Sequence, residues 1–381
     1  MKQLFIVLFT CLLTLTYTFA ETTGNIEHLP DSIFSGYHGK HHVQGIVVDK
    51  AKGFAYFSFT TSFVKTDLQG NLIGSIEGLT GHLGCLTLNP TDGKVYGSIE
   101  YKDDSIGVGI SGEDAQNREN AFYIAVIDVD KVTRPDMRPT ESKVLTTVYL
   151  KDVVDDYLAT TMNNDIEVQH RYGCSGIDGV AFGPQPGEPE GKQILYVAYG
   201  IYGDISRSDN DYQVLLAYNT EKWNKYAKVL NPGKPHHSGP AKPLCRYFVY
   251  TGNTEWGIQN LNYDPSTNAM MAAVYKGKKN EFPNFSLFAI DLDKPAEETF
   301  LRGFDEPEIG LLLPLKKMGI YDAASNTYGW RFPHGSTGLC SMGDGLFYIS
   351  HNESLPEQST TLFLYRFTGQ RRTPFIRINS K

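Results

Sequence analysis

The side chains with chemical potential in this chain stand at the borders of short apolar runs. His41 and His42 precede the run at 45–48, His82 the run at 83–88, and Tyr172 and Asp178 flank the start of the run at 177–182. Glu255, Trp256, Gln259 and Asn260 lead into 261–263, and His334 comes just before 338–342. Glu100, Tyr199, Tyr275 and His351 stand at the far ends of other runs. Imidazole exchanges protons near neutral pH, so His42, His82 and His334 are the candidate catalytic acids and bases. His41, Asp178 and Glu255 are the candidate ligands of a divalent metal. An imidazole-rich set suits zinc, and an oxygen-rich set that adds Gln259 and Asn260 suits calcium. Trp256, Tyr172, Tyr199 and Tyr275, with Gln259 and His351, offer flat apolar faces edged by hydrogen-bonding groups, a combination that binds sugar rings. The competing reading is that these polar groups only plug a channel and satisfy strand ends.

What positions these residues is a weak internal repeat. Each unit holds an apolar strand, a turn rich in Gly, Asp, Asn or Pro, and a returning strand: 44–49 and 54–59, 84–88 and 94–99, 178–182 and 194–199, 259–263 and 270–275, 338–342 and 346–350. Third strands follow at 63–67, 122–128, 213–219, 285–291 and 362–367, with candidate fourth strands at 72–76, 143–150, 246–250, 309–313 and 374–378. Four antiparallel strands repeated five times predict an all-β fold, a single β-propeller occupying residues 41–381. Five blades are expected, with six or seven if the long insertions hide further sheets. Two unrelated β-sandwiches are the competing architecture. In a propeller the first strand of every blade lines the channel, so the residues just before it converge on the axis. The long connections 101–121, 151–176, 200–212, 276–284, 314–337 and 351–361 fall on that same rim, where binding is expected. The long stretch 220–245, with His236 and His237, falls on the opposite side.

The repeat pattern resembles the five-bladed propeller scaffold shared by arabinanase- and invertase-like glycosidases, calcium-dependent apyrases and tachylectin-type lectins. Glycosidases of that scaffold place a carboxylate at the start of blade one, where this chain has His41, His42 and Gln44. The expectation is a metal-assisted hydrolase or lyase acting on a carbohydrate or related polar substrate at the channel mouth. A non-catalytic glycan- or peptide-binding propeller and a calcium-dependent lactonase or phosphodiesterase are the alternatives.

Composition bounds these readings. The chain has 381 residues, 41% of them hydrophobic, and a net charge of -8. That content supports a core and excludes disordered and coiled-coil classes. The acidic balance, without a dense Lys/Arg stripe, speaks against nucleic-acid binding. Residues 1–20 read as a secretory signal, with Lys2 before an apolar stretch and Thr18-Phe19-Ala20 at the cleavage site, and 21–40 as an N-terminal segment. A secreted or periplasmic monomer with a small-molecule or glycan ligand and no integral membrane segment is expected. Cys85, Cys174, Cys245 and Cys340 remain after signal removal, compatible with two disulfides or with buried thiols. The run 107–112 has the glycine spacing of a dinucleotide loop, but the polar stretch 102–105 before it is no strand, so the match is read as coincidental.

Overall fold

A computed structural model describes residues 29–111, 119–231 and 235–379. Residues 1–20, read above as a secretory signal, lie outside the described residues. Alternation of apolar side chains along each strand sends neighbours to opposite faces of a sheet, and here both faces are covered. Met270 packs into the core shared with the preceding sheet, and Met271 into the core shared with the following one. Tyr348 and Phe347 divide in the same way. Sheets with two apolar faces stack side by side, and five of them close into one ring.

Blade one is Gly45–Asp49, Phe54–Ser58, Ser62–Asp67 and Leu72–Glu77; blade two is His82–Leu88, Val95–Tyr101, Ala121–Ile127 and Leu145–Tyr149. Blade three is Cys174–Gly183, Ile194–Ile201, Tyr212–Tyr218 and Cys245–Tyr250. Blade four holds Thr254–Asp264, Ala269–Lys276 and Leu287–Asp291, and blade five Leu339–Gly343, Leu346–Glu353 and Ser359–Phe367. The first strands touch in sequence, and that of blade five meets that of blade one. The all-β, five-bladed propeller expected from the repeats is the fold observed.

Two outer strands depart from the repeat. The strand Ile309–Leu312 runs parallel to the edge of blade three, pairing Tyr247 with Leu311, and carries Glu297–Phe300 with it. Leu313 then enters the core between blades three and four, which fixes the segment there. Blade four is edged by the bridges of Ile290 to Leu315 and Leu287 to Trp330 and by backbone bonds from Asp291 to Pro314 and from Lys316 to Ala289. The second departure closes the ring. Within the segment 21–40, the strand Ser32–Tyr37 pairs with Ser359–Phe363, and Phe375–Arg377 pairs with Tyr365–Phe367 of the same strand. Both ends of the chain thereby cover the last edge, which would otherwise present unpaired backbone groups.

The described residues of 220–245 pack against blade two. Lys228 bridges Thr147 on the outer strand of blade two, and His236 Nε2 meets the Thr147 hydroxyl at 2.8 Å. Cys85, Cys174, Cys245 and Cys340 are all free thiols, so the disulfide alternative is not realised. Residues 107–111 belong to the short helix Ser105–Ser111, not to a phosphate-binding loop. Among the described residues no helix is long and apolar enough to cross a membrane.

Candidate functional site

The channel mouth holds a cavity of about 250 Å³ lined by residues of blades one to four and by the helix Ser105–Ser111. Its floor is built from blade two outward. Glu100 and Lys102 are two residues apart at the end of the second strand, so they share a face. Their side chains are 3% and 4% exposed and form an ion pair of 2.8 Å. Lys102 Nζ also donates to the Ser175 carbonyl at 2.8 Å and lies 3.4 Å from Asp104. Glu100 accepts the Ile177 amide through Oε2 at 3.0 Å, and its Oε1 meets His82 Nδ1 at 3.3 Å. Gly176 makes this packing available: its φ is +122°, and a Cβ there would lie 2.1 Å from Glu100 Oε2. With its oxygens committed, Glu100 orients other groups. His82 donates Nδ1–H to it and keeps Nε2 as the atom for proton exchange.

Asp178 enters from blade three. Its Oδ2 accepts Gln259 Nε2 at 3.1 Å, and its Oδ1 lies where a Cβ on Gly84 would come within 2.5 Å. Gln259 Nε2 also donates to the Trp256 carbonyl at 2.9 Å, so only its own carbonyl oxygen is left to meet a ligand. Trp256 sits in a bulge of blade four's first strand with φ +63°, a conformation that costs a bulky residue about 1–3 kcal/mol. Tyr202 meets its ring edge-on at 6.0 Å. Ile106 and Ile110, one helical turn apart, and Tyr275 complete the apolar lining.

Electrostatics separates the titrating groups. Burial raises the Asp178 carboxyl, against the pull of His82 and with the Glu100 charge adding, to about 7. Burial alone would lower the His82 imidazole, but the hydrogen bond to Glu100 and the charges of Asp178 and Glu100 hold it above its ordinary value. Glu100 is pushed up by burial, yet Lys102 and His82 outweigh that and hold it below the usual carboxylate range. Burial and neighbouring His82 lower both His41 and His42, which leaves them neutral at pH 7. Asp178 therefore titrates near neutrality in the same cavity as a His82 held above its ordinary value, so the site holds one group able to give a proton and another able to take one.

The sequence-predicted residues divide. His41, His42, His82, Asp178, Trp256, Gln259 and Tyr275 line the one cavity. His334 does not. It stacks on His351 with ring centroids 3.7 Å apart, and His351 Nε2 meets the Tyr365 hydroxyl at 2.9 Å, away from the cavity. Burial, with His334 and Arg377 adding, lowers His351 to about 4. Tyr172 is buried and donates to Glu308 at 2.6 Å, and Tyr199 is buried and donates to Asp156 at 2.7 Å, so both are packing residues. Glu255 lies outside the cavity in a contact with Lys278. Among the described residues no three His, Cys, Asp or Glu side chains come together as a metal site, so His41, Asp178 and Glu255 are not a ligand set. Asn260 ties inner strands together, donating to the Gln44 and Ser336 carbonyls at 2.9 Å each. Sequence reasoning gave Glu100 a place on the rim but no role, and it missed Lys102, Ile106 and Ile110. Charged residues of opposite sign at 100 and 102, closing an apolar strand, were the available signal.

No family model matches the chain, and no curated protein matches it. Solved structures similar to it include a glucose dehydrogenase, 13% identical over 88% of this chain and 99% of that one, with a TM-score of 0.37. The soluble aldose sugar dehydrogenase of Escherichia coli is 12% identical over 87% and 99%, with a TM-score of 0.38. A structural genomics protein of unknown function from Bacteroides thetaiotaomicron is 9% identical over 88% and 72%, with a TM-score of 0.35. The likeness is one of fold alone and assigns no chemistry.

Proposed function

We propose that this protein is an exported hydrolase or lyase that transfers protons on a small hydroxylated substrate of the sugar class, bound at the channel mouth. The observation that carries the reading is the presence in one cavity of Asp178, raised to about 7, and of His82, oriented by Glu100. Asp178 and His82 Nε2 are the proton donor and acceptor, Glu100 positions His82, and Lys102 keeps Glu100 ionised. Trp256 and Tyr275 offer apolar faces to a sugar ring, and the Gln259 carbonyl accepts from a hydroxyl. The cavity, about 250 Å³, lies just below the usual range of about 300–1,000 Å³ for ligand pockets, which fits a substrate of one sugar unit. The described residues do not assemble a metal ligand set. The leader read at 1–20 supports export, and a monomer is the working assembly.

The test is a turnover and binding screen of sugar lactones, aryl glycosides and uronates with the wild type and with His82→Ala and Asp178→Asn. The expected outcome is turnover of at least one substrate and a loss of about 10²-fold or more in each variant, with binding retained. Binding by the wild type without turnover of any substrate would make the cavity a recognition site and overturn the enzyme reading.

A further inference from the structure

A second, larger cleft of about 580 Å³ lies on the flank of the ring and shares no lining residue with the channel-mouth cavity. It exists because the chain leaves the repeat after blade four's third strand. The pair Glu297–Phe300 and Ile309–Leu312 goes to blade three, and the hairpin Ile320–Asp322 and Thr327–Gly329 stands apart from it. Two properties of the cleft between them bear on what it binds. Tyr321 and Tyr328 stack at 4.6 Å and 29° on one wall, and Tyr212 and Tyr250, 5.1 Å apart, stand in another. The charged lining residues are Arg302 and Lys317, both exposed, and no carboxylate lines the cleft. Neither cation makes an ion pair among the described residues, and the Arg302 guanidinium lies 5.9 Å from the centre of the Tyr250 ring. Of the acidic groups nearby, Asp211 is engaged by Lys279, Asp291 and Asp293 by Lys316, and Asp322 by the Ser325 hydroxyl and amide, while Glu281 and Glu298 lie outside the lining.

We infer that this cleft binds an anionic glycan, a chain of sugars bearing carboxylate or sulfate groups. Tyrosine faces take the apolar faces of the rings, and Arg302 and Lys317 take the acidic substituents. On a protein with a net charge of -8, a polyanion is repelled from most of the surface, so two uncompensated cations beside an aromatic platform select where it docks. The site holds a longer chain than the channel-mouth cavity accommodates and is independent of the chemistry proposed there.

The experiment is calorimetric titration of the full chain with tetragalacturonate, with a chondroitin sulfate tetrasaccharide, and with neutral cellotetraose. The wild type is expected to bind at least one acidic probe about tenfold or more tightly than cellotetraose. The double substitution Arg302→Ala with Lys317→Ala, and separately Tyr321→Ala, each lower that affinity by about tenfold or more, while His82→Ala leaves it unchanged. These are exposed or partly exposed positions, and a far-ultraviolet spectrum identical to that of the wild type confirms folding. No binding of either acidic probe, equal binding of cellotetraose, or unchanged binding by the double variant would overturn the inference. Equal retention of a thymidine oligonucleotide, insensitive to Tyr321→Ala, would reduce the cleft to a bare charge patch and overturn it as well.

Discussion

Asp178→Asn is the substitution whose consequence can be worked furthest from the structure. The side chain is 9% exposed and its carboxyl is raised from 3.8 to about 7. A group raised in the folded state stabilises the protein below its unfolded pKa, and that contribution is lost as pH rises through the folded value. At about 1.36 kcal/mol for each tenfold change, the rise is worth about 4 kcal/mol at pH 8. An ionised Asp178 favours the protonated form of His82, which recovers part of the cost. Asparagine keeps the shape and the hydrogen bond from Gln259 without the charge. The variant should therefore gain about 2 to 4 kcal/mol over the wild type at pH 8 and almost nothing at pH 4. Urea unfolding followed by tryptophan fluorescence at pH 4, 6 and 8 reads the gap directly. A gap that does not widen with pH, or a variant less stable at pH 8, would refute the assignment of the raised carboxyl.

Other outcomes follow from the same structure. Lys102→Met leaves Glu100 buried without its cation and should cost about 3–5 kcal/mol in urea unfolding; an unchanged midpoint would contradict the pairing. Ile33→Ala, in the closing strand and 1% exposed, should cost about 2–5 kcal/mol, whereas Phe34→Ala, 38% exposed on the same strand, should cost far less. Equal thermal shifts for the two would argue against closure by this strand. His334→Ala and His351→Ala should leave turnover within about twofold, because the pair lies away from the cavity; a loss in kcat/KM of about tenfold or more in either would bring them back into the site.

Much of this fold is legible in the sequence because a propeller blade is a local object. Strands such as 54–59 and 270–275 are bounded by their own turn residues, and the period-two pattern declares their faces. Ring closure is not local. Ser32 pairs with Phe363, and nothing near Ser32 announces a partner so far along the chain. The parallel docking of Ile309–Leu312 on blade three is hidden for the same reason, since a fourth strand is expected to pair with the third strand before it. That His82, Asp178, Trp256 and Gln259 line one cavity follows from the repeat, because the first strand of every blade lines the channel. Tyr172 and Tyr199 were misread because an aromatic at a strand end looks the same whether it faces the cavity or the core. Here, bonds to Glu308 and Asp156 decide that they face inward. The helix Ser105–Ser111 was invisible because two of its seven residues, Gly107 and Gly109, are glycines and its two isoleucines are too few to declare a face.

The central claim is that Asp178 and His82 are the proton donor and acceptor of the cavity. The pH dependence of kcat/KM on the best substrate, for the wild type and for Asp178→Asn, tests it most directly. The account predicts a bell-shaped wild-type profile centred near neutral pH and the loss of one limb, with most of the activity, in the variant. A variant that keeps wild-type activity and both limbs would contradict it.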